Sequence, residues 1–309
     1  MRTSLVTGGA GFIGSHLVRG LLARGDAVRV LDNFSTGRIE NLSQLDGSLE
    51  IIEADLRDDS KVAHAVRGVD YIFHQAAFVS VPQSMQEPGT CFAVNVSGTL
   101  NLLEAARKAG VKQVVLASSA AVYGESRALP LKENATLGVL SPYAASKQVN
   151  EIYAGLYTRG FGLPVVALRY FNVFGPRQSP ESDYAAAIPI FIRRLLDGRA
   201  PTIFGDGEQS RDFIFVGDVV RANLLAAENP QAAGGVFNIC TGQEISILDL
   251  VNTLSKIIPG APPPKLGPPR PGDIYRSLGD PGQAAEVLEF RPEVSLSEGL
   301  TQTVEWMQS

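Results

Sequence analysis

TGGAGFIG (residues 7–14) follows the apolar run SLVTG (4–8) and leads into HLVRGLLARG (16–25), whose apolar residues recur at helical spacing. Gly8, Gly11 and Gly14 stand three residues apart. A chain that turns sharply from strand to helix, with its backbone close to a pyrophosphate, needs glycine at such positions. The helix start then offers free N–H groups and a positive dipole end to that pyrophosphate. Glycine spacing alone is a weak signal, because an ordinary strand–helix turn also produces it. Its context strengthens it: AVRVLD (27–32) ends in Asp32, 18 residues after Gly14. A carboxylate at that strand end accepts hydrogen bonds from an adenosine ribose and repels a 2′-phosphate, which favours NAD over NADP. Arg38 lies close enough to assist a phosphate. Asp55, in EADL, suits two roles equally, a contact to the adenine or a cap on the next helix.

The same alternation continues along the first half. LEIIEAD (49–55), VDYIFHQA (69–76), KQVVLASS (112–119) and LPVVALRYFN (163–172) read as further strands. Segments of helical spacing separate them, and terminal glycines supply common stop signals. β-Branched runs alternating with helices imply an α/β fold, a Rossmann-type doubly wound parallel sheet covered on both faces. The rhythm breaks after residue 172. NVFGPRQSPES reads as loop, AAIPIFIRRLLDG as helix, and GAPPPKLGPPRPGD (260–273) is rich in proline and glycine. The expectation is a dinucleotide-binding domain over 1–171 and a smaller substrate-binding lobe over 172–309, with 212–227 returning to the main sheet as one more strand and helix.

Composition narrows the function classes. With 309 residues, 45% of them apolar, the chain can bury a large core. A net charge of −5 without a Lys/Arg block argues against nucleic-acid and anionic-membrane partners. No signal-peptide layout and no apolar run long enough to span a bilayer is present, so a soluble, cytoplasmic protein is expected. Cys91 and Cys240 match no metal or redox spacing; free thiols are expected and no metal site.

SPYAASKQVNE (141–151) places Tyr143 and Lys147 four residues apart, on one face of a helix. A phenol, with a pKa of about 10, is a poor base at neutral pH. A nearby ammonium and a positive nicotinamide ring favour the phenolate; a shift of roughly three units takes about 4 kcal/mol. Ser119 closes a strand between the glycine turn and this helix.

TGGAGFIG, the Ser119 strand end, YAASK and RYFNVFGP together resemble the extended short-chain dehydrogenase/reductases, more narrowly their nucleotide-sugar epimerases and dehydratases. The resemblance spans nearly the whole chain. In the sugar 4,6-dehydratases of this family, Asp and Glu follow the catalytic Thr or Ser and eliminate water; the UDP-glucuronate decarboxylases keep a Glu nearby. Here both positions are alanine, Ala120 and Ala121. Ser119, Tyr143 and Lys147 remain, which is the layout of the 4-epimerases. The resemblance therefore implies NAD-dependent interconversion of UDP-hexoses at C4, with Tyr143 taking the 4-hydroxyl proton, Ser119 hydrogen-bonding the same oxygen and Lys147 holding the nicotinamide ribose.

It also implies a cofactor site made of Gly8, Gly11, Phe12, Ile13, Gly14, Asp32, Asn33, Ser35, Gly37, Asp55 and Leu56. Gln75, Ala76, Ala77, Asn95, Ser118, Tyr143, Lys147, Tyr170 and Val173 complete it. The implied UDP-sugar site contains Ser80, Ser119, Tyr143 and Asn172, with Ala186, Ala187, Phe191, Thr202 and Phe204 around the uracil. Arg211 and Arg270 are implied on the diphosphate and Asp273 on the uridine ribose. Ser277 stands where glucose/galactose-restricted epimerases carry a bulky aromatic, so room for a 2-acetamido group is expected. FVSVPQS (78–84) points the same way, although Val79 replaces a glycine of the most N-acetyl-selective members. Segments 93–109 and 143–159 are apolar on more than one face, and family members dimerise through these helices, so a homodimer is expected. Two alternatives stay open: a UDP-glucuronate 4-epimerase or other nucleotide-sugar oxidoreductase of the family, and an NAD-sensing binding protein. The second sits poorly with an intact Ser119, Tyr143 and Lys147.

Overall fold

The structure, a computed structural model, describes residues 2–126, 128–180, 186–269 and 274–309. In chain order the strands are β1 (Thr3–Thr7), β2 (Ala27–Asp32), β3 (Leu49–Glu53), β4 (Tyr71–His74), β5 (Gln113–Ser119), β6 (Val165–Tyr170) and β7 (Asn172–Phe174). They continue with β8 (Thr202–Phe204), β9 (Ser210–Arg211), β10 (Phe213–Phe215), β11 (Val236–Ile239), β12 (Ile245–Ser246), β13 (Lys265–Gly267) and β14 (Arg276–Ser277). The helices are α1 (Phe12–Ala23), α2 (Asp59–Val66), α3 (Val81–Gln86), α4 (Pro88–Phe92), α5 (Gly98–Ala109) and α6 (Pro142–Phe161). Beyond them run α7 (Ala187–Leu196), α8 (Val216–Glu228), α9 (Ile247–Ile257), α10 (Gly282–Val287) and α11 (Leu296–Gln308).

Seven parallel strands form the main sheet in the order β11-β6-β5-β4-β1-β2-β3. The six runs read as strands occupy six of these places. Their side chains alternate between two cores, as the two-residue period requires. Val6, Phe73, Val115 and Val166 face α1 and α8. Their neighbours Leu5, Ile72, Val114 and Val165 face α2, α5 and α6. Most of the sheet is therefore buried on both faces, which is why most strands read as apolar runs; β3 at the edge is largely exposed. The strand order reverses between β1 and β4. Ligands of open α/β sheets bind at the carboxyl ends of the strands beside that point.

The expectation for 212–227 needs correction. Phe213–Phe215 does not join the main sheet; it pairs in parallel with Asn172–Phe174 in a two-stranded sheet. The helix that follows, α8, does pack on the main sheet through β5 and β6. The seventh strand is Val236–Ile239, parallel to β6. It is only four residues long and was not read as a strand. A third core joins α7, α9 and α11 to β10, with Phe174, Phe191, Ile192, Leu250 and Leu254 inside it.

His74 ties the switch point together. Its Nε2 pairs with Thr99 Oγ1 at 2.8 Å and its Nδ1 with Thr7 Oγ1 at 2.7 Å. Thr99 spends its own proton on Asn95 O, so Nε2 is the donor and Nδ1 the acceptor. Burial pulls this imidazole down to about 3, so it is a neutral strut between β1, β4 and α5.

Candidate active site

The turn between β1 and α1 has the shape a dinucleotide needs. Gly8 sits at φ +67°, and a Cβ there would come 2.7 Å from Ala76 N. A Cβ on Gly14 would strike Gly8 O at 2.0 Å. The first turn of α1 carries no side-chain cap and no acidic residue. Its opening N–H groups and dipole therefore meet a cleft of about 790 Å³, lined by Gly8, Gly11, Phe12, Ile13 and Gly14. Asp32 lines the same cleft. Ala10 N donates to its Oδ2 at 2.9 Å and Phe34 N to its Oδ1 at 2.8 Å, which fixes the carboxylate and leaves further lone pairs for a ribose.

Asp55 faces the cleft and does not cap α2; Asp58 does, accepting from Lys61 N. Asn33 donates to Asp55 at 2.8 Å. The Arg57 guanidinium, also bound to it, holds its carboxyl well below the usual range.

Ser119, Tyr143 and Lys147 converge at the other end of the cleft. Ser119 is the last residue of β5, and its Oγ accepts from Ala121 N at 3.2 Å. Tyr143 and Lys147 open α6, whose first turn is capped by Ser141. Tyr143 and Ser119 both line this part of the cleft. Lys147 is 4% exposed, its Nζ donates to Ala117 O at 2.8 Å, and it lies 5.7 Å from the Tyr143 ring centroid. Burial lowers Lys147 to about 8. Burial also raises the Tyr143 phenol, and the nearby Ser119 side chain only partly offsets this. The direction is opposite to the one expected from the lysine alone. A bound oxidised nicotinamide would supply further positive charge favouring the phenolate.

The sequence pattern of the NAD dependent epimerase/dehydratase family matches residues 4–240. The chain belongs to this family. It is 43% identical to the UDP-glucose 4-epimerase of Mycolicibacterium smegmatis, across 100% of this chain and 99% of that one. A solved UDP-N-acetylglucosamine 4-epimerase from Methanobrevibacter ruminantium, in complex with UDP-N-acetylmuramic acid, superposes with a TM-score of 0.95. It is 42% identical over 99% of this chain and 98% of its own. The UDP-glucose 4-epimerase of Thermus thermophilus, in complex with NAD, gives 0.90 at 39% identity, over 99% of each chain. The fold and NAD dependence of this family account for the glycine cradle and Asp32.

Among the cofactor residues read from the sequence, Asn33, Ser35, Gly37, Leu56, Gln75, Ala76, Ala77, Ser118, Tyr170 and Val173 also line the cleft. Asn95 does not. It is 1% exposed, and its amide is spent on Phe78 N, Phe78 O and Ser146 Oγ, so it braces the segment after β4 against α6.

The substrate residues are more dispersed. Ser80 caps α3, its Oγ accepting from Gln83 N. Asn172 Nδ2 donates to Asp212 O at 3.2 Å, while its neighbours Phe171 and Val173 face the cleft. Ala186 precedes α7 and Ala187 begins it; Phe191, one turn on, is buried in the third core. Thr202 and Phe204 lie on β8, and Phe204 lines a second cleft of about 530 Å³ with Gln209, Gly267 and Tyr275. Arg211 on β9 is in register with Ser277 on β14, and its Nη1 donates to Ser210 O. Arg270 and Asp273 lie outside the described residues.

The sequence reading missed Phe34, Asn41, Val94, Arg177, Gln178 and Ser179, all on the main cleft. The last three directly follow the RYFNVFGP motif. The strand-end rule, applied to the loop after β7, was the signal that could have found them.

Proposed function

We propose that this chain interconverts UDP-hexoses at C4, UDP-glucose with UDP-galactose and also the N-acetylated pair, through a transient 4-keto sugar. The carrying observation is the convergence of Ser119, Tyr143 and Lys147 on one glycine-cradled cleft, with Lys147 one turn beyond Tyr143 on α6. Bound NAD supplies oxidation and re-reduction of C4, so no cofactor is consumed. Tyr143 takes the proton of the 4-hydroxyl and returns it. Ser119 hydrogen-bonds that oxygen and shortens the proton's path. Lys147, fixed by Ala117 O, holds the ribose next to the reacting ring and contributes positive charge. Ala120 and Ala121 carry no carboxyl group, which argues against water elimination and decarboxylation.

The wider substrate range rests on Ser277, a small residue on β14 beside Arg211. Thr202, Phe204, Arg211 and the loop carrying Arg270 and Asp273 are proposed to hold the UDP portion. A homodimer is supported by exposed apolar side chains on adjoining helices: Ile152 and Leu156 on α6, Phe92 on α4 and Met85 on α3. α3 and α4 pack on α6. Among the described residues of α5 no large apolar side chain is exposed, so α6 carries the proposed interface more than α5. A cytoplasmic location is proposed because Cys91 and Cys240 are free, buried thiols; no helix among the described residues is long and apolar enough to cross a membrane.

Purified protein, incubated separately with UDP-galactose and UDP-N-acetylgalactosamine, tests the reading by chromatography of the 4-epimers. Conversion of both is expected. Conversion of UDP-galactose alone rejects the Ser277 argument, and conversion of neither, with NAD supplied, rejects the function.

A further inference from the structure

Beside the glycine cradle stands a cation that the mechanism above does not use. Arg177 lines the main cleft with Gly11, Phe12 and Ile13. It makes no hydrogen bond or ion pair with any described residue. Burial lowers its pKa, and the neighbouring Arg19 guanidinium lowers it further. A half-buried guanidinium next to another cation, with no ion-pair partner among the described residues, is unfavourable unless an anion completes it. Gln178 adds a second unspent group on the same cleft. Its Nε2 donates to Val173 O at 3.1 Å, while its Oε1 is buried with no hydrogen-bond partner among the described residues.

The loop carrying both is fixed in place. His16, on the second turn of α1, donates from Nε2 to Pro176 O at 2.9 Å. Arg177 is held at φ +67°, a conformation that costs free energy for any residue but glycine. The loop is thereby strapped to the helix whose N-terminus forms the cradle.

We infer that Arg177 and Gln178 hold the diphosphate–ribose junction of the dinucleotide, Arg177 donating to a phosphate oxygen and Gln178 accepting from a ribose hydroxyl. The inference rests on the NAD dependence proposed above. UDP-sugars offer the same diphosphate chemistry. The dinucleotide is favoured because this loop is bound to α1, through His16 and Pro176 O, close to the glycine cradle, whereas Phe204 lines a different cleft.

Calorimetric titration of the full chain, after displacement of co-purifying dinucleotide, separates the two. The titrants are NAD and UDP; the proteins are wild type, Arg177→Gln and Arg177→Lys. Loss of one charge-assisted contact should weaken NAD binding about tenfold to a hundredfold in Arg177→Gln, with partial recovery in Arg177→Lys. UDP affinity should stay within about twofold, and the NAD affinity of Arg177→Gln should depend less on salt than that of wild type. Weakened UDP binding with unchanged NAD binding would assign the loop to the sugar nucleotide and overturn the inference; so would no change in either. A wild type that binds UDP but no NAD would remove the NAD reading itself. Should Arg177→Gln fail to fold by urea midpoint, Arg177→Lys carries the same outcomes.

Discussion

Arg169→Met should cost this fold about 3–5 kcal/mol, because it strips a buried carboxylate of its counter-charge. Arg169 on β6 and Glu151 on α6 are 4% and 6% exposed. Nε and Nη2 of the guanidinium donate to the two carboxylate oxygens at 2.8 and 2.7 Å, a bidentate fork. Nη1 donates to Tyr123 Oη at 2.8 Å and to Glu133 O at 3.1 Å. With the arginine gone, Glu151 keeps only the Ser118 hydroxyl, 2.5 Å away, and Tyr123 loses a donor. Domains of this kind are stable by about 5–15 kcal/mol, so the loss is a large fraction of the total. Removing both charges together, in Glu151→Leu/Arg169→Met, should restore most of it, because neither member of the pair is then left as an unpaired buried charge. Urea midpoints at unchanged m-value measure both. A single variant costing under about 1 kcal/mol, or a double variant no better than the single, would refute the reasoning.

Tyr143→Phe should lower turnover by about 10²–10⁴-fold while leaving UDP binding and the urea midpoint near wild type, read by steady-state assay and calorimetry. Ser277→Tyr should abolish turnover of the N-acetylated pair and spare UDP-galactose; unchanged N-acetyl turnover would contradict the pocket argument. Leu156→Glu with Ile152→Glu should convert a dimer to a monomer in light scattering, since both side chains sit exposed on α6. Burial holds His16 at about 4 and His74 at about 3, below the value near 6.5 of the unfolded chain. Their contribution is therefore complete above about pH 6.5 and declines as pH falls toward 4, by up to ~1.4 kcal/mol per unit for each histidine. Urea midpoints at pH 7.5 and 5 should show the fall, and His16→Gln should show a shallower one.

The main sheet was legible because most of its strands are buried on both faces and read as apolar, β-branched runs, from SLVTG to LPVVALRYFN, the exposed edge strand β3 excepted. β11 escaped because four residues after a Gly-Gly pair carry no periodicity to detect. Phe213–Phe215 looked like a sheet strand for the same local reason that β11 did not. Its pairing with β7 is a tertiary choice, which local pattern cannot encode. Gly8, Gly14 and Asp32 could be read from type and spacing, since each meets a requirement local to its own turn. Asn95 could not be told from a ligand-facing amide, because its partners Phe78 and Ser146 are distant in sequence. Phe191 obeys the helical period of α7, and that period points it into the core. Arg177 and Gln178 lie in a loop with no local pattern of its own, and only the fold brings that loop against α1.

The central claim is that one cofactor, held in this cleft, takes C4 of a UDP-hexose to the ketone and back without exchange. UDP-galactose deuterated at C4 tests it directly. The account predicts UDP-glucose that keeps its deuterium at C4, with no net formation of NADH. Deuterium washed into solvent, or NADH accumulating with the sugar, would contradict it.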